Sequence, residues 1–292
     1  MVTAISVGSP VGDCEITALF REDAAYQWAK ARDCNNDRPV LLQLLHRHYP
    51  TEDIDGLVEY FKRLQTLDGQ GLWVPEQLFA DTASPLILCY PYLSGNSLER
   101  QLEQTPDRAQ HWFRQAAERL STLHDNHLAH GWITPDSWLV CEERLYLLGF
   151  GYGPLLTAGH SEVMRDCGDW LAPEVTAGRG VTPTTDCYGF ARTLRYWLPK
   201  LKFSDWYRRA TAINPTHRFR HMREATESLE TLLNHPKAVV PTFGEASRFE
   251  TVGESQSTEL SGGLLAKHQL EIRAESGGSV TGGEGSIFRI KP

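Results

Sequence analysis

The 292-residue chain is 41% hydrophobic and 23% charged, a composition that suits a globular protein with a sizeable core. At this length one domain of about 250 residues followed by a tail is the natural division, with two small domains as the alternative. A net charge of −8 and a pI near 5.8 exclude a general nucleic-acid binder, because neutralising phosphates takes a basic surface.

The cysteines at Cys14, Cys34, Cys89, Cys141, Cys167 and Cys187 are scattered without a CxxC pair, which argues against zinc. Cys89, Cys141 and Cys187 lie in apolar surroundings and read as small core residues. No apolar run approaches a membrane span, and the first residues lack the basic start and apolar core of an export signal. The expected compartment is therefore the cytoplasm. The local run Arg208, Arg209, Arg218, Arg220 and Arg223 reads as a solvated helical surface that holds one buried structural arginine.

In chain order, three strands are expected first, at Glu15–Phe20, Ala25–Ala31 and Pro39–Leu45, with turn residues between them. Thr51 starts a helix as its N-cap, and Glu52 and Asp53 suit the first turn. Ile54, Leu57, Val58, Phe61 and Leu64 recur at helical spacing and give that helix one buried face. Two more strand-like runs follow, Leu72–Pro75 and Pro85–Tyr90. After Ser94 the character becomes helical. Ser97 caps a short helix, and Thr105-Pro106 opens a longer one with a stripe of Ala109, Trp112, Phe113, Ala116, Leu120 and Leu123. Further helices are expected at about 185–198, 204–213 and 222–234, beyond a Gly-rich irregular stretch from Tyr152 to Gly168.

Between these helices lies the most unusual stretch, His130 to Gly151. It reads as a polar loop, a strand at Trp138–Val140, a charged turn at Glu142–Arg144, and a second strand from Leu145 that ends in Gly-Phe-Gly. His130-Gly-Trp-Ile-Thr-Pro-Asp-Ser137 is similar to the catalytic loop H-R-D-L-K-P-x-N of eukaryotic-type protein kinases, and Leu148-Gly-Phe-Gly to their D-F-G segment. Ala172-Pro-Glu174 lies where that family has A-P-E. Asp186 with Tyr188-Gly resembles the start of its large central C-lobe helix, and Asn214-Pro-Thr-His-Arg218 its D-P-x-x-R segment. Over residues 12–236 the chain thus resembles the protein kinase superfamily. The resemblance implies an α+β fold of two lobes, a small β-rich N-lobe and a larger α-helical C-lobe.

The resemblance also implies which residues should handle phosphate and metal, and here the sequence departs from it. The catalytic Asp position is Trp132, the loop Lys is Thr134, the metal-binding Asn is Ser137, and the D-F-G Asp is Gly149. Val40-Leu-Leu-Gln43 stands in place of V-A-I-K, so the phosphate-gripping lysine is Gln43; the helix glutamate that would pair with it is Glu59. Phe20-Arg-Glu-Asp-Ala-Ala25, where the Gly-rich phosphate loop belongs, has no glycine. What remains are the counterparts of the family's struts: His130, Glu174, Asp186 and Arg218. Asp136 is a weak candidate for a displaced base, and Asp166 and Asp169 for a cation site. Trp112, Trp132, Trp138, Trp170, Trp197 and Trp206 read mostly as core or interface residues, and Trp132 and Trp138 are alternatively candidates to fill the emptied nucleotide cleft.

The expected function is a pseudokinase, a catalytically inactive kinase-like module that binds a protein partner as scaffold or regulator. No cofactor is expected and ATP binding is disfavoured. The alternative is an unorthodox ATP-binding phosphotransferase with displaced catalytic residues. From Val239 the composition turns to Gly, Ser, Thr and Glu, so 237–266 is expected to be a flexible linker. Residues 267–292 read as a hairpin-like tail, with strands at His268–Ala274 and Ile287–Ile290. The tail resembles the opening of a bacterial extracellular β-repeat. A lone hairpin is barely stable in water, so it either joins another sheet or belongs to something larger.

Overall fold

Runs of β-branched, aromatic and leucine residues broken by turns build strands, around one helix, in the described residues up to Pro91, and the helical stripes take over after Ser97. A computed structural model describes residues 6–22, 26–45, 51–67, 69–81, 84–150, 170–233 and 286–289. The chain separates into two units, one of residues 1–69, 73–94 and 269–292, the other of 70–72 and 95–268.

The first unit is an antiparallel sheet with one helix. Its strands are β1 (Pro10–Val11), β2 (Cys14–Glu22), β3 (Tyr26–Asp33), β4 (Pro39–Leu45), β5 (Gln77–Asp81), β6 (Ser84–Pro91) and β10 (Ser286–Arg289), in the order β1-β2-β3-β4-β6-β5-β10. Strand alternation divides β4 between two faces. Val40, Leu42 and Leu44 join Ile16, Ala29, Ala31, Phe79 and Ile87 in one apolar cluster. Leu41 and Gln43 point the other way, with Gln43 opposite Trp28 on β3 and Leu88 on β6. Helix α1 (Thr51–Gln65) buries Leu57, Val58, Phe61 and Leu64, the stripe its sequence spacing marks.

One expected strand is misplaced. Leu72–Pro75 is not a strand, and the pairing segment is β5, five residues further on. Leu72 makes a single bridge to Leu147, Trp73 donates its indole N–H to the Pro91 carbonyl at 2.9 Å, and Pro75 has no N–H to give a ladder. Of the tail, β10 pairs with the edge strand β5, Ile287 opposite Phe79. The expected linker and the strand at 268–274 lie outside the described residues.

The second unit carries helices α2 (Leu98–Gln104), α3 (Ala109–Asp125), α4 (Pro173–Thr176), α5 (Pro183–Trp197), α6 (Asp205–Ala210) and α7 (Met222–Leu233), with a small sheet of β7 (Asn96–Ser97), β8 (Trp138–Cys141) and β9 (Arg144–Leu147). Ser97 caps α2 by accepting from the Arg100 N–H at 3.1 Å. A 3-10 turn at Pro106–Arg108 precedes α3, whose Ala109, Trp112, Phe113, Ala116, Leu120 and Leu123 are all buried. α3 packs on α5 and α7, and α5 contributes Phe190, Ala191, Leu194 and Trp197 to the same core. Trp138 belongs to this core. It is buried edge-on against Phe190 and is part of the packing of the helical unit, as the reading of the tryptophans as mostly core residues expects. No helix among the described residues is long and apolar enough to cross a membrane.

Candidate functional site

The loop from His130 to Ser137 is held from beneath by one carboxylate. Asp186 sits in the first turn of α5, a helix that begins with Pro183 and is closed by a capping box between Thr182 and Thr185. Its Oδ2 accepts from the His130 N–H at 2.8 Å, and its Oδ1 from the Gly131 N–H at 2.6 Å. A third donor comes from α3: His124 Nε2 lies 3.0 Å from Asp186 Oδ2. Because His124 Nδ1 accepts from the Met222 N–H at 3.0 Å, the proton of that ring sits on Nε2, which donates to the carboxylate.

His130 is fully buried and both ring nitrogens are engaged. Nε2 donates to the Leu148 carbonyl at 2.8 Å, while Nδ1 accepts from the Trp132 N–H at 3.2 Å. The ring also meets Phe150 edge-on at 4.7 Å. Burial pushes the pKa of His130 down, against the opposing pull of Asp186 and of the Leu148 carbonyl, so the ring stays neutral. A histidine so placed braces the loop and has no nitrogen left for proton transfer.

Further along, Thr134 and Ser137 close a capping box around the 3-10 turn Pro135–Ser137. The Ser137 hydroxyl accepts from the Thr134 N–H at 3.0 Å and donates to the Trp132 carbonyl at 2.9 Å. Asp136 on the same turn is exposed, and Trp132 is half-buried. Gly149 has φ +86°, a left-handed conformation that glycine adopts without penalty, and carries no side chain. Gly189 on α5 lets the loop settle onto the helix; a Cβ there would lie 3.1 Å from both the Cβ and the carbonyl oxygen of Ile133.

A second anchor joins the first turn of α4 to the turn before α7. Arg218 donates to both oxygens of Glu174, at 2.7 and 2.8 Å. Its remaining N–H groups go to the carbonyls of Ala212, Thr184 and Ile213, and the guanidinium lies over the Tyr188 ring. The Thr185 hydroxyl donates to Glu174 at 3.0 Å. Burial pushes the Glu174 carboxyl up, but Arg218 and Thr185 outweigh it and hold the group below the usual carboxylate range.

In the sheet unit, Gln43 is 1% exposed and its side-chain oxygen accepts from the Tyr90 hydroxyl at 3.0 Å. Trp28, Trp73 and Tyr90 stack beside it with ring centroids 4.5–5.7 Å apart, all buried. Glu59 on α1 is exposed. The strut residues and the loop thus come together in the helical unit, whereas Gln43 lies in an aromatic block of the sheet unit. Asp166 and Asp169 fall outside the described residues, and among the described residues no group of three His, Cys, Asp or Glu could hold a metal ion. Gln43, Trp132, Ser137 and Gly149 supply neither carboxylate nor cation, so this donor set does not fit an Mg²⁺–nucleotide complex. His124, the third donor to Asp186, escapes sequence reasoning because it lies on the apolar stripe of α3, next to Leu123.

No family model matches the chain, and no curated protein matches it in sequence. Solved structures do. PpkA-294 in its apo form aligns with a TM-score of 0.54 at 16% identity, over 77% of this chain and 99% of that one. The kinase domain of PknI from Mycobacterium tuberculosis aligns with a TM-score of 0.51 at 17% identity, and a doubly substituted form of it with 0.58, also at 17%. Each of these covers 78% of this chain and 99% of the other. The chain has the two-lobe α+β fold of protein kinases, a β-sheet N-lobe followed by a helical C-lobe.

Proposed function

We propose that this chain is a pseudokinase, a kinase-like domain spanning residues 12–236 that performs no phosphoryl transfer and acts by binding another protein as scaffold or regulator. Phosphoryl transfer needs a metal-binding carboxylate, a base or orienting carboxylate, and a cation on the phosphates. Gly149, Trp132 and Gln43 stand at the matching positions. The observation that carries the reading is the hydrogen bonding of the loop. Ser137 spends its hydroxyl inside its own turn, and His130 spends both nitrogens on the backbone. The four strut residues meanwhile form two buried, fully bonded anchors, so the frame is kept without the reactive groups. A partner would engage the segment before Ala172 or the C-lobe helices, and the domain would work in the cytoplasm.

The test is titration of the full chain with ATP by calorimetry, with and without Mg²⁺ or Mn²⁺, beside a phosphotransfer assay on a generic protein substrate. The expected result is no saturable metal-dependent binding and no turnover. Turnover that disappears in Asp136→Ala would overturn the proposal and establish the displaced-residue phosphotransferase instead.

A further inference from the structure

The seven-stranded sheet ends differently at its two edges. On one side it stops at β1, a two-residue strand too short to recruit another chain. On the other side stands β5, Gln-Leu-Phe-Ala-Asp, which has no lysine or proline to blunt it and whose one charge, Asp81, comes last. Leu78 and Phe79 alternate onto opposite faces of the sheet and are both buried. With β6 on one flank, the remaining side of β5 is its row of backbone N–H and C=O groups.

β10 covers that row. Its residues run antiparallel to β5 in unbroken register, Ser286 opposite Ala80, Ile287 opposite Phe79, Phe288 opposite Leu78 and Arg289 opposite Gln77. β10 pairs with β5 alone, and every helix from α2 to α7 lies between the two strands in sequence. A ladder of four residues that closes so long a loop is the part of the sheet a competing segment displaces most easily.

We propose that the β5 edge is a strand-addition site for an extended segment of a partner protein, which enters by displacing the resident Ser286–Arg289. This takes from the reading above only that the chain binds a protein, and it adds a surface on the sheet unit. Main-chain hydrogen bonds to β5 supply the affinity and the register supplies the selectivity. The segment that fits places an aliphatic residue opposite Phe79, an aromatic one opposite Leu78 and a basic one opposite Gln77, as β10 does. The side-chain oxygen of Gln77 is buried and has no hydrogen-bond partner among the described residues, so a donor is what that register position calls for.

The probe is a fluorescent peptide of residues 284–292, titrated against the full chain and against full-length Ile287→Pro/Phe288→Pro. Neighbouring residues of a strand send their N–H groups to opposite sides, so one of the two prolines removes a bond to β5 and frees the edge. The expected result is saturable binding, about tenfold or more tighter to the variant than to the natural chain, whose own strand competes from within the molecule. The same peptide with both prolines should bind neither protein. Equal affinity for the two proteins overturns the proposal, as does equal binding of the proline peptide or no binding to a variant that still melts cooperatively. Dimerisation of the natural chain that the variant lacks overturns it in favour of strand exchange between two copies. A measurement on the natural sequence stands apart from the variant. Hydrogen exchange should find 286–289 protected, and saturating isotope-labelled peptide should expose them while β5 stays protected. Free exchange of 286–289 without peptide, or full protection with it, overturns the proposal too. Phosphotransfer activity would sink the pseudokinase reading and leave these results unchanged, so the two fail separately.

Discussion

Arg218 grips Glu174 with both terminal nitrogens and spends its other N–H groups on three backbone carbonyls, so none of its donors is left over. Removing the acid strands a guanidinium that is 1% exposed. Glu174→Ala should lower stability by about 3–5 kcal/mol, the range for breaking one side of a buried pair. A urea melt checks it: the midpoint falls while the slope stays near its original value. Arg218→Lys should lose a comparable amount, because an ammonium cannot reproduce the two-pronged grip.

The same pair predicts a pH dependence. The Glu174 carboxyl has a folded pKa below its ordinary value, so its contribution is complete above the ordinary carboxylate pKa and is lost as pH falls through the folded one. Stability should therefore hold from neutrality to about pH 5 and fall below about pH 4. Glu174→Gln should remove part of that slope. Melts of both proteins across the acid range, compared by difference, read the effect directly.

Asp186 accepts three hydrogen bonds on two oxygens, and an amide cannot replace it. In Asp186→Asn the side-chain NH₂ must face an N–H donor of the loop or of His124. The cost should be about 3 kcal/mol, in line with losing bonds to a charged acceptor and leaving a buried donor unpaired. Hydrogen exchange tells this apart from general loosening, since the His130 and Gly131 amides should lose protection before those of α7.

Two glycines predict opposite signs. At Gly149 a methyl has room, with the nearest His130 ring atom 3.7 Å away, but the left-handed backbone costs an L-residue about 1–2 kcal/mol in Gly149→Ala. Gly56, inside α1, has nothing within 4 Å of its would-be Cβ, and Gly56→Ala should stabilise by roughly 0.8 kcal/mol through helix propensity. Thermal melts of the two variants settle both signs together.

Much of this architecture could be read from spacing. Ile54 to Leu64 on α1 and Ala109 to Leu123 on α3 follow the helical period, and the apolar runs of β2, β3 and β4 follow the strand pattern. The failures share a cause: local pattern does not say what a residue will meet. Leu72–Pro75 has the residues of a strand, yet its backbone and the Trp73 indole find other partners. His124 differs from its apolar neighbours by its ring nitrogens, and their acceptor and donor lie 62 and 98 residues away. Gln43 and Tyr90, 47 positions apart, meet only because β4 and β6 pair.

The late position of Arg218 has a consequence for synthesis. Glu174 and Asp186 leave the ribosome well before Arg218 and Met222, the residues that neutralise the first and fix the ring orienting the second. A nascent chain stopped short of 218 would have to bury a carboxylate without its cation, which opposes collapse of the whole helical lobe. The lobe is thus built to mature as one late event, and a ribosome-stalled fragment ending near residue 210 should stay open to protease even though α5 is complete.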